Sequence, residues 1–368
     1  MKILYISHLH PPKNAPLENI GGMQNVSIQL TNELQKRDDV ELEKIIMESS
    51  WENINVKTTG FLFSLLRKIP RRTKSFQPDV ILFSSMVTAS VAPLLKKRVN
   101  VPMVTINHGQ DVTLPVSVYQ WYVPKIFKAL SGVISVSSAT RKASILRGLS
   151  PEKGVALPNG FDGSAQNDLP SKNEAIEELE KKYELSLKDK NVIVTVGRQV
   201  KRKGHEWFIS EVMDKLPDDV VFFLVGYGPE YETIMRARDL SESAQRIIIT
   251  GKISDELLQF CYAAADLFVM PNIPVEGDME GFGIVLLEAN RAGVPAISSD
   301  IEGMRDVIKQ GVNGYRVPHS DAKQFAEKIT ETLHGDLQAL SESSKKYVNE
   351  KFSWNCVADQ YVNFLKNI

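Results

Sequence analysis

Val192-Ile193-Val194-Thr195-Val196-Gly197 runs directly into Arg198-Gln199-Val200-Lys201-Arg202-Lys203-Gly204. The first five residues are β-branched and almost wholly apolar, so they read as a strand covered on both faces, as strands of a parallel sheet are. A glycine and a basic loop end it. Similar short apolar runs recur along the chain, separated by longer helical stretches. Strands are predicted at 2–7, 41–47, 79–85, 103–108 and 132–138, then at 192–197, 220–226, 247–251, 267–271 and 295–299. Strands alternating with helices imply βαβ units and parallel sheets.

The ten strands divide five and five around a polar gap at about 163–190, which contains Pro170 and reads as a linker leading into a helix. A chain of 368 residues exceeds what one core usually supports. The expected fold class is therefore α/β: two Rossmann-like doubly wound domains, 1–165 and 166–353, facing a central cleft.

Composition sets further bounds. Apolar residues make up 43% and charged residues 24%, with no low-complexity tract. Cys261 and Cys356 are far apart and suggest neither a disulfide framework nor a metal site, which fits a reducing compartment. The opening apolar run is too short for a signal peptide, and no stretch reaches the roughly 20 apolar residues that span a bilayer. A cytoplasmic location is expected. Residues 1–165 hold 20 Lys and Arg against 12 Asp and Glu, a net +8, and the remainder is −9. A basic half joined to an acidic one suggests that the first half meets something anionic, although plain drift in surface charge would look the same. Nothing points to nucleic acid as a partner.

Open parallel sheets bind ligands beyond the carboxyl ends of their strands, so the loops there are the candidate ligand contacts. After the first strand, a long loop ends in Gly21-Gly22 before a helical pattern. Paired glycines at a helix start admit an anion, and a ligand-free tight turn would use the same residues. After the fourth strand comes Asn107-His108-Gly109, with His108 placed to touch a substrate. After the strand at 192–197, Arg198 and Lys203 offer a guanidinium fork and a point-charge ammonium, the pair that suits a diphosphate. Lys201 and Arg202 read as solvated neighbours. The most informative segment is Glu280-Gly281-Phe282-Gly283-Ile284-Val285-Leu286-Leu287-Glu288. Helix formers begin near Ile284, so Glu280 lies in the loop and Glu288 on the helix, and the glycines leave the first N–H groups open to a phosphate.

Three motifs are missing. There is no Walker-type phosphate loop, and Gly226-Tyr227-Gly228-Pro229 lacks the third glycine of a dinucleotide fingerprint. No Asp-x-Asp pair is present for a divalent metal, and Asp278-Met279-Glu280 is the nearest imitation. No metal or cofactor is therefore expected, with Arg198, Lys203 and backbone dipoles neutralising the diphosphate.

These residues together resemble the family-four retaining glycosyltransferases of the GT-B fold. Gly21-Gly22, His108, Gly197-Arg198, Lys203-Gly204, Gly226-Tyr227-Gly228-Pro229, and above all Glu280 with Glu288 at the family's Glu-x7-Glu spacing, carry the resemblance. Asn159-Gly160-Phe161-Asp162 and Val312-Asn313-Gly314 look like minor motifs of the same family. The resemblance implies that a sugar passes from a nucleotide-diphosphate sugar to an acceptor with retained configuration. His108 and Glu280 would serve as catalytic contacts to the transferred sugar, joined by Gly281 and Phe282. Arg198, Lys203 and the backbone of Gly22, Gly283, Ile284 and Val285 would hold the diphosphate. Glu288 would take the ribose, and the backbone near Lys252 and Ile253 the base. The last helix, at about 354–368, would cross back onto the first domain. One departure is Glu302-Gly303-Met304-Arg305-Asp306, where the family often has Gly-Gly-x-x-Glu.

The resemblance also implies that the first domain selects the acceptor. Its segment 61–74 joins an apolar run to five basic residues and suits an anionic membrane surface presenting a lipid-linked or glycan acceptor. The same apolar face would equally serve to pack a helix on the sheet. A transferase for a small soluble acceptor, a nucleotide-sugar epimerase and a non-catalytic sugar-nucleotide sensor are the competing readings.

Overall fold

The computed structural model describes residues 1–10, 22–48, 54–161 and 169–368. The chain packs as two compact units. The first comprises Met1–Asp162, Gly277–Phe282 and Phe352–Ile368, and the second Gly163–Glu276 and Gly283–Lys351.

The first unit is built on a six-stranded sheet of β1 (Lys2–His10), β2 (Glu41–Glu48), β3 (Val80–Phe83), β4 (Met103–Asn107), β5 (Gly132–Ser135) and β6 (Gly154–Ala156), in the order β2-β1-β3-β4-β5-β6. The second unit is built on β7 (Asn191–Val196), β8 (Val220–Val225), β9 (Ile247–Gly251), β10 (Leu267–Met270), β11 (Ala296–Ser299) and β12 (Gly314–Val317), in the order β12-β11-β10-β7-β8-β9. Every pair of neighbours in both sheets is parallel. The α/β class and the two Rossmann-like units agree with expectation.

The strand count does not. Each sheet has six strands rather than five, because β6 and β12 were not legible. β6 is three half-buried residues at a sheet edge, and β12 is Gly-Tyr-Arg-Val with two half-buried polar or amphipathic centres. Neither shows the doubly buried pattern of the central strands, where β3, β8 and β10 are buried throughout.

The two minor glycine motifs have packing roles. A side chain at Gly160 would come within 2.5 Å of the Trp354 ring, so glycine is what lets the last helix, Trp354–Lys366, dock in the first unit. Backbone bonds from Phe161 to Phe352 at 2.9 Å and from Trp354 to Phe161 at 3.2 Å fasten that joint. Tyr361, Val362 and Leu365 bury the inner face of the helix. Asn313 is fully buried; its amide donates to Asn290 Oδ1 at 2.7 Å, and Asn290 donates back to the Asn313 carbonyl at 3.0 Å. That exchange anchors the carboxyl end of the helix Ile284–Arg291. Glu302, the departure from the family pattern, sits at φ +47°, the left-handed region that glycine occupies at least cost.

Asp162 and Gly21 lie outside the described residues. The segment 61–74 lies in the helix Ile54–Phe76. Phe61, Leu65 and Ile69, spaced four apart, are buried in the core of the first unit, so the apolar stripe of that segment packs on the sheet. Its basic residues remain exposed.

Candidate active site

In the second sheet the strand order reverses between β7 and β10. Parallel sheets open a ligand crevice at such a reversal, beyond the carboxyl ends of the two strands. β7 ends there in Gly197-Arg198, and β10 ends in Pro271.

The loop after β7 is fixed by contact with its neighbours. Gly204 takes φ +65°, and a Cβ there would stand 2.0 Å from the Pro271 carbonyl oxygen. The Ile273 N–H donates to the Arg202 carbonyl at 2.9 Å. The loops after β7 and β10 are thus held backbone to backbone. Between them Lys203 is buried, and its Cε and Nζ lie 3.6 Å and 3.8 Å from the place a Gly197 Cβ would occupy. The ammonium therefore rests over the end of β7. Arg198 is exposed beside it. His205 is buried next in line, and its pKa is pushed down to about 3 by burial, with Lys203 and Arg202 adding to the effect. It stays neutral at physiological pH, so the positive charge of this loop is carried by the lysines and arginines.

The ends of β8 and β9 form a floor of backbone. A Cβ on Gly226 would meet the Gly197 carbonyl oxygen at 2.1 Å, and one on Gly228 would meet that of Gln199 at 2.3 Å. Gln199 Nε2 donates to the Gly226 carbonyl at 2.9 Å, and the Gly226 N–H donates to Gly251 at 2.9 Å. Lys252 is exposed and Ile253 half-buried just past this row.

After β10 the chain enters the helix Ile284–Arg291 through Gly283, at φ +84°. The N–H groups of Ile284 and Val285 belong to the first turn and have no acceptor within the helix. Glu288 lies about 6 Å further along the axis by rise per residue. Tyr262, buried on the helix Asp255–Ala264, donates its hydroxyl to Glu288 Oε2 at 3.1 Å. Burial holds the Glu288 carboxyl above the ordinary carboxylate range, although Tyr262 and Arg291 pull it the other way. Burial first, and then this carboxylate, raises the Tyr262 hydroxyl far above its usual range. Tyr262 remains the proton donor of the pair.

The segment Gly277–Phe282 belongs to the first unit, although it follows β10 in sequence. There it meets the end of β4. A Cβ on Gly281 would stand 1.9 Å from the His108 carbonyl oxygen, and one on Gly109 would stand 2.8 Å from Gly281 Cα. Thr113 Oγ1 donates to the Gly277 carbonyl at 3.3 Å, and Gln110 Nε2 donates to Asp278 Oδ1 at 3.3 Å. Glu280 is buried in this segment, and the Phe282 ring packs edge-on against Phe352 with centroids 6.0 Å apart. His108 Nε2 donates to the Ser84 carbonyl at 2.9 Å. The Asp111 carboxylate accepts from the His108 N–H at 2.7 Å and the Met86 N–H at 3.1 Å, fixing the turn.

The structure thus brings His108, Glu280, Gly281 and Phe282 together in the first unit. It gathers Arg198, Lys203, Gly283, Ile284, Val285, Glu288, Lys252 and Ile253 at strand ends of the second. Gly22 opens the helix Gly22–Gln35 in the first unit and is exposed. Sequence reasoning missed Tyr262, whose partner Glu288 is 26 residues away, and Asp111, whose local bond to the His108 N–H is joined by one to the distant Met86 N–H. Among the described residues no cluster of three His, Cys, Asp or Glu is arranged to hold a metal, and both cysteines are free thiols.

The family model "Glycosyltransferase Family 4" matches residues 20–164, and "Glycosyl transferases group 1" matches residues 176–351. The chain belongs to the family-four glycosyltransferases of the GT-B fold. A GDP-mannose-dependent alpha-(1-6)-phosphatidylinositol monomannoside mannosyltransferase of Mycobacterium tuberculosis is 28% identical over 71% of this chain and 68% of its own length. The sulfoquinovosyl transferase SQD2 of Arabidopsis thaliana is 26% identical over 78% of this chain and 56% of its own length. Among solved structures, Anabaena HepE in complex with UDP superposes with a TM-score of 0.77 over the whole of both chains at 19% identity, a likeness of fold. As a glycosyltransferase, the chain is an enzyme that transfers sugars.

Proposed function

We propose that this glycosyltransferase retains anomeric configuration, works without a metal, and moves a hexosyl group from a nucleotide-diphosphate sugar to a hydroxyl of a lipid-linked or glycan acceptor in polysaccharide or glycolipid synthesis. The observation that carries the reading is the buried Lys203 over the end of β7, beside a reversal of strand order whose other side opens a glycine-capped helix. Arg198, Lys203 and the N–H groups of Gly283, Ile284 and Val285 offer charge and dipoles to a diphosphate, with Gly22 as a further backbone contact. Glu288 accepts from ribose hydroxyls, and the glycine floor near Lys252 and Ile253 takes the base. Glu280 and His108 orient the transferred sugar, alongside Gly281 and Phe282. The bond from the anomeric carbon to the diphosphate oxygen breaks as the acceptor oxygen bonds on the same face. The departing phosphate oxygen takes the acceptor's proton.

One relative supports an acceptor of this class: the mycobacterial enzyme is named for a phosphatidylinositol monomannoside. The reading also places the enzyme in the cytoplasm at the membrane that holds such acceptors; among the described residues no helix is long and apolar enough to cross a membrane. The test is transfer from UDP-, GDP-, ADP- and dTDP-hexoses to a lipid acceptor in the presence of chelator, with the product's anomeric configuration read by NMR. Retained configuration and full activity in chelator are expected. An inverted product, or strict dependence on a divalent ion, overturns the corresponding part of the reading.

The Glu288–Tyr262 pair gives a pH-dependent prediction. Glu288 must be ionised to accept from the ribose, and burial raises its pKa, so the donor KM climbs as pH falls through that raised value. Tyr262→Phe removes a hydrogen bond that favours the carboxylate. The rise in KM then begins at higher pH than in the parent enzyme, with kcat at saturating donor unchanged. An unshifted KM–pH profile in this variant would show that Tyr262 only packs.

A further inference from the structure

The helix Ile54–Phe76, the segment 92–98 and the helix Ser117–Ala129 share one core of the first unit, through Leu65, Ile69, Ala92, Leu95, Val123 and Ile126. These three stretches contain eleven Lys and Arg and no Asp or Glu, and all eleven are exposed. Protein surfaces normally interleave both signs, and helices use opposite charges one turn apart to stabilise themselves. Here pairing within the face is impossible. The ion pair of Arg72 with Glu43 at 2.9 Å reaches outside it, to β2.

Large apolar side chains stand exposed among these charges. Phe63 is 71% exposed, Leu94 58%, Val118 76% and Trp121 66%. Lys125 lies over the Trp121 ring, 3.1 Å from its centroid, and Lys96 donates to the Lys128 carbonyl at 3.1 Å, joining the segment 92–98 to the helix Ser117–Ala129. Cations alone would suit any polyanion. Exposed tryptophan and aliphatic groups interleaved with cations suit a polyanion with an apolar interior beneath its charge, because only there do both kinds of side chain lose water to advantage.

We propose that this face docks the enzyme on an anionic lipid bilayer, with Trp121 and Leu94 entering the headgroup region and the surrounding lysines and arginines meeting lipid phosphates. The apolar stripe of 61–74 is core, so the helix Ile54–Phe76 adds charge and Phe63 rather than an inserted face. The inference extends the lipid-acceptor reading to the surface that reaches such an acceptor, and it can fail while the transfer chemistry stands.

The test is flotation of the full chain with phosphatidylglycerol-containing vesicles and with pure phosphatidylcholine vesicles, at low and high salt. Binding to the anionic vesicles alone, weakened by salt, is expected, together with a blue shift in tryptophan emission. Trp121→Ala should lower binding about ten-fold and abolish the shift, and Lys97→Glu with Lys125→Glu should abolish binding. All three side chains are exposed, so unfolding temperature and transfer to a soluble acceptor should not change. Failure to bind anionic vesicles, binding undiminished in these variants, or equal affinity for duplex DNA would overturn the proposal.

Discussion

Lys203→Ala is expected to lower kcat/KM for the sugar donor by about a hundred- to a thousand-fold while leaving the protein folded. Lys203 is 7% exposed, and its ammonium lies 3.8 Å from the Cβ position of Gly197, at the mouth of the crevice between β7 and β10. A cation in so little water interacts more strongly with a diphosphate than a surface lysine would. Its attraction grows as the glycosidic bond breaks and the leaving phosphate gains charge, so the loss falls on kcat as well as KM. Lys203→Met keeps most of the aliphatic stem and should lose the same activity, which separates charge from packing. A drop of less than ten-fold in both variants, measured with saturating acceptor, would remove Lys203 from the diphosphate site.

Gly204→Ala is expected to be among the most damaging small substitutions at the site. Left-handed φ costs alanine about 1 kcal/mol, but the larger effect is steric, because its Cβ would stand 2.0 Å from the Pro271 carbonyl oxygen. Backbone on both sides must move, and with it the join between the loops after β7 and β10. Destabilisation beyond about 3 kcal/mol is expected. Gly251→Ala is the control: φ is again left-handed, at +67°, but no atom lies within 4 Å of the added Cβ. It should cost only about 1 kcal/mol. Urea midpoints compare the two directly, and equal midpoints would refute the steric argument.

How much was legible follows from where the signals lie. Central strands announce themselves, because burial on both faces leaves runs such as Val192-Ile193-Val194 with no polar alternation. Edge strands β6 and β12 are shorter and half-wetted, so composition hides them. Arg198, Lys203 and the glycine-capped helix after β10 were each readable from a strand-to-loop transition. The meeting of Gly109 with Gly281 was not readable, because it joins loops 172 positions apart through two absent side chains. Nor was the bond from Tyr262 to Glu288, where a tyrosine on a regular helix has no local mark of its partner. The stretch 61–74 shows the reverse ambiguity: one amphipathic pattern serves a membrane or a sheet, and only the burial of Leu65 and Ile69 decides for the sheet.

The central claim is that the second unit grips a diphosphate at the β7–β10 reversal, and nucleotide binding measures it most directly. Calorimetric titration of the full chain with UDP, GDP, ADP and dTDP, beside the matching monophosphates, should reveal at least one diphosphate bound at least ten-fold more tightly than its monophosphate. That preference should vanish in Lys203→Ala. Binding of no diphosphate, or equal binding of mono- and diphosphate, would contradict the account.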